Sequence, residues 1–231
     1  LFRSIWVGTI NAGLNRFDGH RFEMLSGDAA LAGSSIGALA DDGSGGLWVG
    51  TDKGVSRLRS NRVEQTYSTK DGLPADAVAC LLRDSKGMLW AGTSAGPAML
   101  QNGRFVSPET ATGPIKAPVA ALGARQDGSI LIATRGRGVY RWADGKLAQF
   151  APQGMARADV DAFFEDHDGL LWMGTIGGGL LMVEGDKTFV FTMRDGLFDD
   201  DIFGIIQDEQ DRLWMACSKG IFNVGRSDLR K

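Results

Sequence analysis

Residues 84–93 read DSKGMLWAGT, and the chain repeats this phrase along its whole length. Its core recurs as IWVGT at Trp6, LWVGT at Trp48, LWAGT at Trp90, LWMGT at Trp172 and LWMAC at Trp214. A sixth copy, ILIAT, has Leu131 in the Trp place. Successive copies lie 42, 42, 41, 41 and 42 residues apart. A fixed period of this length marks a repeat architecture, in which each repeat is one supersecondary unit that packs on its neighbours.

Working outward from the Trp position, each period holds four short strand candidates. Twelve residues before it stand Ile36, Val78, Val119, Val160 and Ile202, all β-branched. Ten before it stand Ala38, Cys80, Ala121, Ala162 and Gly204, all small, and nine before it Leu39, Leu81, Leu122, Phe163 and Ile205, all large. Successive side chains on a strand point to opposite faces, so one face of this strand always presents a small residue where a neighbouring sheet must come close. A turn follows, with Asp42, Asp84, Asp166 or Asp208 ahead of Gly45, Gly87, Gly128 or Gly169. Asp bonds the backbone ahead of it and Gly accepts positive φ. Two residues past the Trp position stand Gly8, Gly50, Gly92, Ala133, Gly174 and Ala216, again always small. Thr9, Thr51, Thr93, Thr134 and Thr175 come next, and a short loop closed by glycine leads to a third strand. Hairpin turns such as Asp18-Gly19, Asn102-Gly103 and Asp144-Gly145 lead to a fourth, carrying Phe22, Val63, Phe105, Leu147 and Phe189.

Four strands in a period of 41–42 residues predict an all-β fold, a β-propeller of four-stranded antiparallel blades in six copies. The first copy lacks its innermost strand and the last stops without a fourth, so 22 strands are expected. Residues 1–231 are expected to form a single propeller domain or propeller fragment, an arc or part of a larger ring. Exposed terminal edges invite strand pairing, so the expected association is a homodimer through them, or closure by further chain.

Composition narrows the function. Hydrophobic residues make up 43%, enough for a packed core. With 25 Lys and Arg against 28 Asp and Glu there is no basic footprint for nucleic acid. Two cysteines are too few for a disulfide framework. The apolar runs fall short of the ~18 residues of a membrane helix. No membrane contact is therefore expected, nor a signal peptide, since Leu1-Phe2-Arg3-Ser4 leads directly into a strand.

The phrase resembles the repeat of the two-component regulator propeller family, which runs D-x-x-G-x-L-W-x-G-T, then a Gly-Leu-x-Arg strand and a closing D-G-L-P. The matching residues are Asp84 to Thr93, Gly13-Leu14-Asn15-Arg16 and Asp71-Gly72-Leu73-Pro74, with Asp195-Gly196-Leu197 as a second closing phrase. Copy four departs most, lacking the Trp, the turn Asp and the closing phrase. The resemblance implies the extracytoplasmic sensor part of a membrane-bound histidine kinase, hybrid kinase or diguanylate cyclase, and hence a periplasmic location. Some family members sense glycan fragments, which makes a polar small molecule or glycan fragment the implied partner.

In a propeller the chain alternates between two faces, so the loops after each Thr share a face with the loops joining one blade to the next. This crossover face is where a ligand is expected, on residues that differ between copies. They are Asn11, Asp52, Lys53, Ser94, Arg135, Arg137 and Lys219 after the Thr position, and Asp76 and Asp199 in the joining loops. Arg135 and Arg137 flank Gly136, a spacing suited to clamping a carboxylate, sulfate or phosphate. Lys116 and the run Asp199-Asp200-Asp201 add charge to the same face.

Catalytic chemistry is not expected. His20 and His167 fall in turns on the opposite face, with spacing that suits neither zinc nor a triad. Asp166-His167-Asp168-Gly169 lacks the spaced ligands of a calcium loop, and the glycine clusters precede strands, not phosphate-binding helices. Cys80 and Cys217 read as buried thiols. No metal or cofactor is expected. An interaction scaffold is the alternative. A lyase or glycosidase would need paired carboxylates from among Asp52, Asp76 and Asp199 to Asp201.

Overall fold

The computed structural model describes residues 5–25, 31, 34–155 and 158–230. The chain divides into two compact units, residues 1–119 and 120–231. It is all-β: six antiparallel propeller blades, the middle four with four strands and the terminal two with three.

In the first unit, blade one holds β1 (Ile5–Gly8), β2 (Leu14–Phe17) and β3 (Phe22–Met24). Blade two holds β4 (Ile36–Asp41), β5 (Leu47–Thr51), β6 (Gly54–Arg59) and β7 (Arg62–Tyr67). Blade three holds β8 (Val78–Arg83), β9 (Leu89–Thr93), β10 (Gly96–Gln101) and β11 (Arg104–Val106). A two-stranded hairpin, β12 (Glu109–Thr110) and β13 (Gly113–Pro114), follows it. In the second unit, blade four holds β14 (Val119–Ala124), β15 (Ile130–Thr134), β16 (Gly138–Ala143) and β17 (Lys146–Phe150). Blade five holds β18 (Asp159–Glu165), β19 (Leu171–Ile176), β20 (Leu180–Glu184) and β21 (Lys187–Phe191). Blade six holds β22 (Ile202–Gln207), β23 (Arg212–Cys217) and β24 (Gly220–Gly225). The blade strands are the 22 expected; the hairpin is an addition that the repeat does not encode.

The repeated small residues have one mechanical explanation. Ala38 pairs with Gly50, Cys80 with Gly92, Ala162 with Gly174 and Gly204 with Ala216, so two small side chains sit abreast and form a dimple. The β-branched residue of the next blade fills it. A Cβ added to Gly50 would lie 2.7 Å from Val78 Cγ1, and one added to Gly174 would lie 2.6 Å from Ile202 Cγ2. Plain alternation puts Val78 and Cys80 on one face. The structure inserts a bulge between them, as between Ile36 and Ala38, Val160 and Ala162, and Ile202 and Gly204. The extra residue turns the β-branched knob to the opposite face from the dimple. Each such blade therefore offers a knob backward and a dimple forward.

Around these contacts the core fills in layers. Trp48, Val55, Tyr67 and Leu73 of blade two pack on Val78, Leu89, Ala98 and Phe105. In the second unit, Trp172, Leu180 and Met182 of blade five pack on Ile202, Ile205 and Met215.

The turn aspartates do more than shape the turn. Oδ1 of Asp84 accepts from the amides of Lys86 and Met88, while Oδ2 accepts from the indole N–H of Trp90 at 3.1 Å. Asp166 and Trp172 repeat this at 2.9 Å, and Asp208 and Trp214 at 2.7 Å. Blade four has Leu131 in the Trp place and no indole to satisfy. There Arg125 replaces the Asp and pairs with Glu165 of blade five at 2.7 Å. In blade two, Asp42 gives Oδ2 to Arg57 and Arg59 instead. Arg226, after β24, is buried and donates to Asp166, Asp168 and Asp211.

Candidate functional site

The crossover face is built by the loops that follow the conserved-length Trp strands. In five blades the Thr hydroxyl donates to the carbonyl of the glycine that closes its loop: Thr9 to Gly13, Thr51 to Gly54, Thr93 to Gly96, Thr134 to Gly138 and Thr175 to Gly179. Cys217 stands at this position in blade six. Loops in both units also bond a joining loop, which places the two loop sets on one face within each unit. Asp52 N–H donates to Ser35 O, Ser94 N–H to Ala77 O and Gly179 N–H to Asp200 O.

Most of the flagged residues hold this loop framework together. In the first unit Asn11 exchanges hydrogen bonds with the Ser35 hydroxyl at 3.0 and 3.3 Å, and Asp52 accepts from Ser35 N–H at 3.2 Å. Asp76 accepts from the amide of Thr69 at 2.7 Å, and Ser94 and Lys53 are exposed. In the second unit Asp199 is buried and takes the Ser218 hydroxyl at 2.6 Å, with Lys219 at 3.8 Å. The Ser218 hydrogen bond, with smaller help from the Asp201 amide and Lys219, outweighs the upward push of burial and holds the Asp199 carboxyl below the usual range. Asp200 accepts from the amide of Met193, and Asp201 from that of Gly177. The three adjacent carboxylates therefore serve three different partners.

Arg135 and Arg137 take separate roles. Arg135 forms an ion pair with Asp161, and its second terminal nitrogen is buried without a hydrogen-bond partner. Arg137 is exposed and makes no hydrogen bond or ion pair with the described residues. It lines a cleft of about 440 Å³ with Gly136, Gly138, Gln149, Ala158 and Asp159.

The reason for that cleft lies in the closing phrase. After blade two, Ser68 and Asp71 form a capping box on a 3₁₀ turn (Thr69–Asp71), and Leu73 is buried. After blade five, Thr192 and Asp195 do the same on a second turn (Met193–Asp195), with Leu197 buried. These turns bring the outgoing chain hard against the post-Thr loop. A Cβ on Gly54 would meet Tyr67 O at 2.0 Å, and one on Gly179 would meet Phe191 O at 2.1 Å. Blade four has no closing phrase, and a Cβ on Gly138 meets only Gln149 Nε2, at 3.7 Å. Blade three also lacks it. There the β12–β13 segment returns Ile115 toward Gly96, and a second cleft of about 460 Å³ forms among Pro74, Ser94, Pro114, Ile115, Lys116 and Pro118. Gln149, Asp159 and Ile115 were not among the expected site residues. The absence of D-G-L-P after blades three and four was the signal that points to them.

No described helix is long and apolar enough to cross a membrane, and no metal-binding group of His, Cys, Asp or Glu occurs among the described residues.

The comparisons with known proteins bear on the repeat and the fold. The two component regulator propeller family matches residues 30–53 and 72–95. No curated protein sequence matches the chain. The extracellular domain of a hybrid two-component system from B. thetaiotaomicron superposes with a TM-score of 0.73 at 20% identity, covering 97% of this chain and 38% of that one. PorZ, a surface component of the type-IX secretion system of Porphyromonas gingivalis, gives 0.72 at 16% identity, over 96% and 37%. Virginiamycin B lyase from Staphylococcus aureus gives 0.63 at 15% identity, over 82% and 69%. The chain thus spans under two fifths of the first two structures. It is a six-bladed propeller chain in which residues 30–53 and 72–95 match the two component regulator propeller model, and it shares its fold with extracellular domains of two-component receptors.

Proposed function

We propose that this chain is the periplasmic input module of a membrane-bound receptor, and that it binds a small polar ligand, bearing a carboxylate or sulfate, in the blade-four cleft. The observation that carries this reading is Arg137: an exposed guanidinium with no hydrogen bond or ion pair among the described residues, beside the open crossover gap at Gly138. A guanidinium presents a planar fork that matches a carboxylate or sulfate. Gln149 offers an amide donor and acceptor, and Asp159 an acceptor for ligand hydroxyls. The receptor role is supported by the repeat and by the fold shared with extracellular domains of two-component receptors. A ligand would act by favouring one of two receptor states.

We read the module as a binder and not an enzyme. His20 lies in the β2–β3 hairpin, and His167 bonds Gln207 in the turn before β19, both away from the crossover loops. The fold shared with a lyase does not carry its chemistry over.

A thermal-shift screen of small carboxylates, sulfates and acidic saccharides against the 231-residue chain tests this reading. A compound that raises the melting temperature should lose roughly 10- to 100-fold in affinity with Arg137→Ala, as expected for a charged hydrogen bond of about 1.5–3 kcal/mol. Affinity unchanged in both Arg137→Ala and Gln149→Ala would reject the site.

A further inference from the structure

The segment that follows blade three builds a second cleft, and its chemistry differs from that of the blade-four cleft. A Cβ added to Gly96 would meet Ile115 O at 2.3 Å, as one on Gly54 would meet Tyr67 O. The chain after β13 thus lies against the post-Thr loop of blade three without the closing phrase. Pro74, from the closing phrase of blade two, and Ser94, from the post-Thr loop, complete a cleft of about 460 Å³. Small-molecule sites occupy roughly 300–1,000 Å³ and combine mostly apolar walls with a few polar groups.

The walls here are rigid hydrocarbon. Three of the chain's six prolines, Pro74, Pro114 and Pro118, line the cleft beside Ile115. Proline fixes its own φ and carries no amide N–H, so these positions offer a set shape and no donor. Walls shaped in advance lower the entropy lost on binding. The C–H groups beside a proline nitrogen complement the electron-rich face of an aromatic ring. Recognition of proline-rich segments uses the same contact, with the aromatic rings on the opposite partner.

The polar groups at this cleft are few and available. Lys116 and Ser94 are exposed, and Ser107 is half-buried. None of the three side chains makes a hydrogen bond or ion pair with the described residues. One free ammonium beside rigid apolar walls favours an anion with a flat apolar body.

We infer that the blade-three cleft is a separate binding site for an aromatic carboxylate, with its ring against the prolines and its carboxylate on Lys116. The blade-four cleft is lined instead by Gly136, Gly138, Arg137, Gln149 and Asp159, without a proline. The two assignments are therefore independent.

Proton–nitrogen correlation spectra of the 231-residue chain, titrated with naphthoate and with the neutral naphthalenemethanol, test this. Naphthoate should bind with a dissociation constant of about 1 mM or tighter and shift the amides of Ser94, Ile115 and Lys116. Lys116→Ala should weaken naphthoate by about 3- to 10-fold and leave the alcohol unchanged, since only the acid carries the charge. Ser94→Trp, filling the cleft from an exposed position, should abolish binding of both. Arg137→Ala should affect neither, which separates this site from the blade-four cleft. The spectra of the variants themselves report that each is folded. Naphthoate that shifts none of these amides overturns the inference, as does binding that is lost with Arg137→Ala or survives Ser94→Trp. Acid and alcohol that respond alike to Lys116→Ala overturn the placing of the carboxylate on that lysine.

Discussion

At the scale of single residues, the Asp and Trp of blades three, five and six behave as a pair. The sequence shows that Asp sits six residues before Trp, and turn chemistry accounts for its Oδ1 bonds to the amides two and four residues on. The second oxygen was not legible, because only the folded turn brings the indole N–H of the next strand to it. Copy four gives the clue in retrospect, since it loses both partners together as Arg125 and Leu131. Asp84→Ala should destabilise the chain by about 2–3 kcal/mol, through amides and an indole left without an acceptor. Trp90→Leu alone is expected to cost at least as much, and the double variant about 1 kcal/mol less than the sum, measured by urea unfolding of all three. The same aspartates set the acid limit. Burial raises the Asp166 carboxyl, but the Trp172 indole, the Leu170 amide and Arg226 outweigh it and hold it below the usual value. Asp208 is lowered first by the Trp214 indole, against burial. At Asp127 burial again works upward, and the Ser129 and Arg141 bonds bring the carboxyl from 3.8 down to about 2. Since folding lowers these pKa values, the unfolded chain binds more protons in acid. Thermal stability should hold down to roughly pH 5 and fall steadily between about pH 4 and pH 2. A melting temperature that declined above pH 5 and levelled off below 4 would contradict this origin.

At the scale of elements, the blade order, the strand count and the turns were readable because each rests on a periodic demand of the backbone. The bulge was not, since its extra residue is Gly37, Ala79, Asp161 or Phe203, with no shared side chain to mark it. It is set by the need to aim the knob backward and the dimple forward from one strand. This makes a sharp test of the junction. Gly50→Val places new atoms within 2.7 Å of Val78 Cγ1 and 3.3 Å of Leu81 Cγ, and should cost about 1–3 kcal/mol by overpacking. Adding Val78→Ala should restore part of that loss, although Val78→Ala alone destabilises. A double variant weaker than either single one would show that the two positions do not share a contact. The β12–β13 hairpin was likewise invisible, because Glu109 to Pro114 carries no alternating pattern.

At the scale of the molecule, most of the repeat is spent on sealing blades to one another, and the departures from it mark where binding is available. Residue chemistry picked out polar crossover loops, but most of those side chains are bonded within the loop framework: Asn11 and Asp52 to Ser35, Asp76 to Thr69, Asp199 to Ser218. Such bonds depend on which loops meet, which one copy read alone does not show. Comparing copies for the closing phrase is the better guide, because its loss opens the gap beside Gly138. The most direct test of this account is hydrogen exchange with mass spectrometry on the 231-residue chain, with and without a ligand found by thermal shift. Protection should appear in residues 134–138 and 149–159 and leave the Asp-x-x-Gly turns at 84–87 and 166–169 unchanged. Protection centred on those turns, with the blade-four loops unaffected, would contradict it.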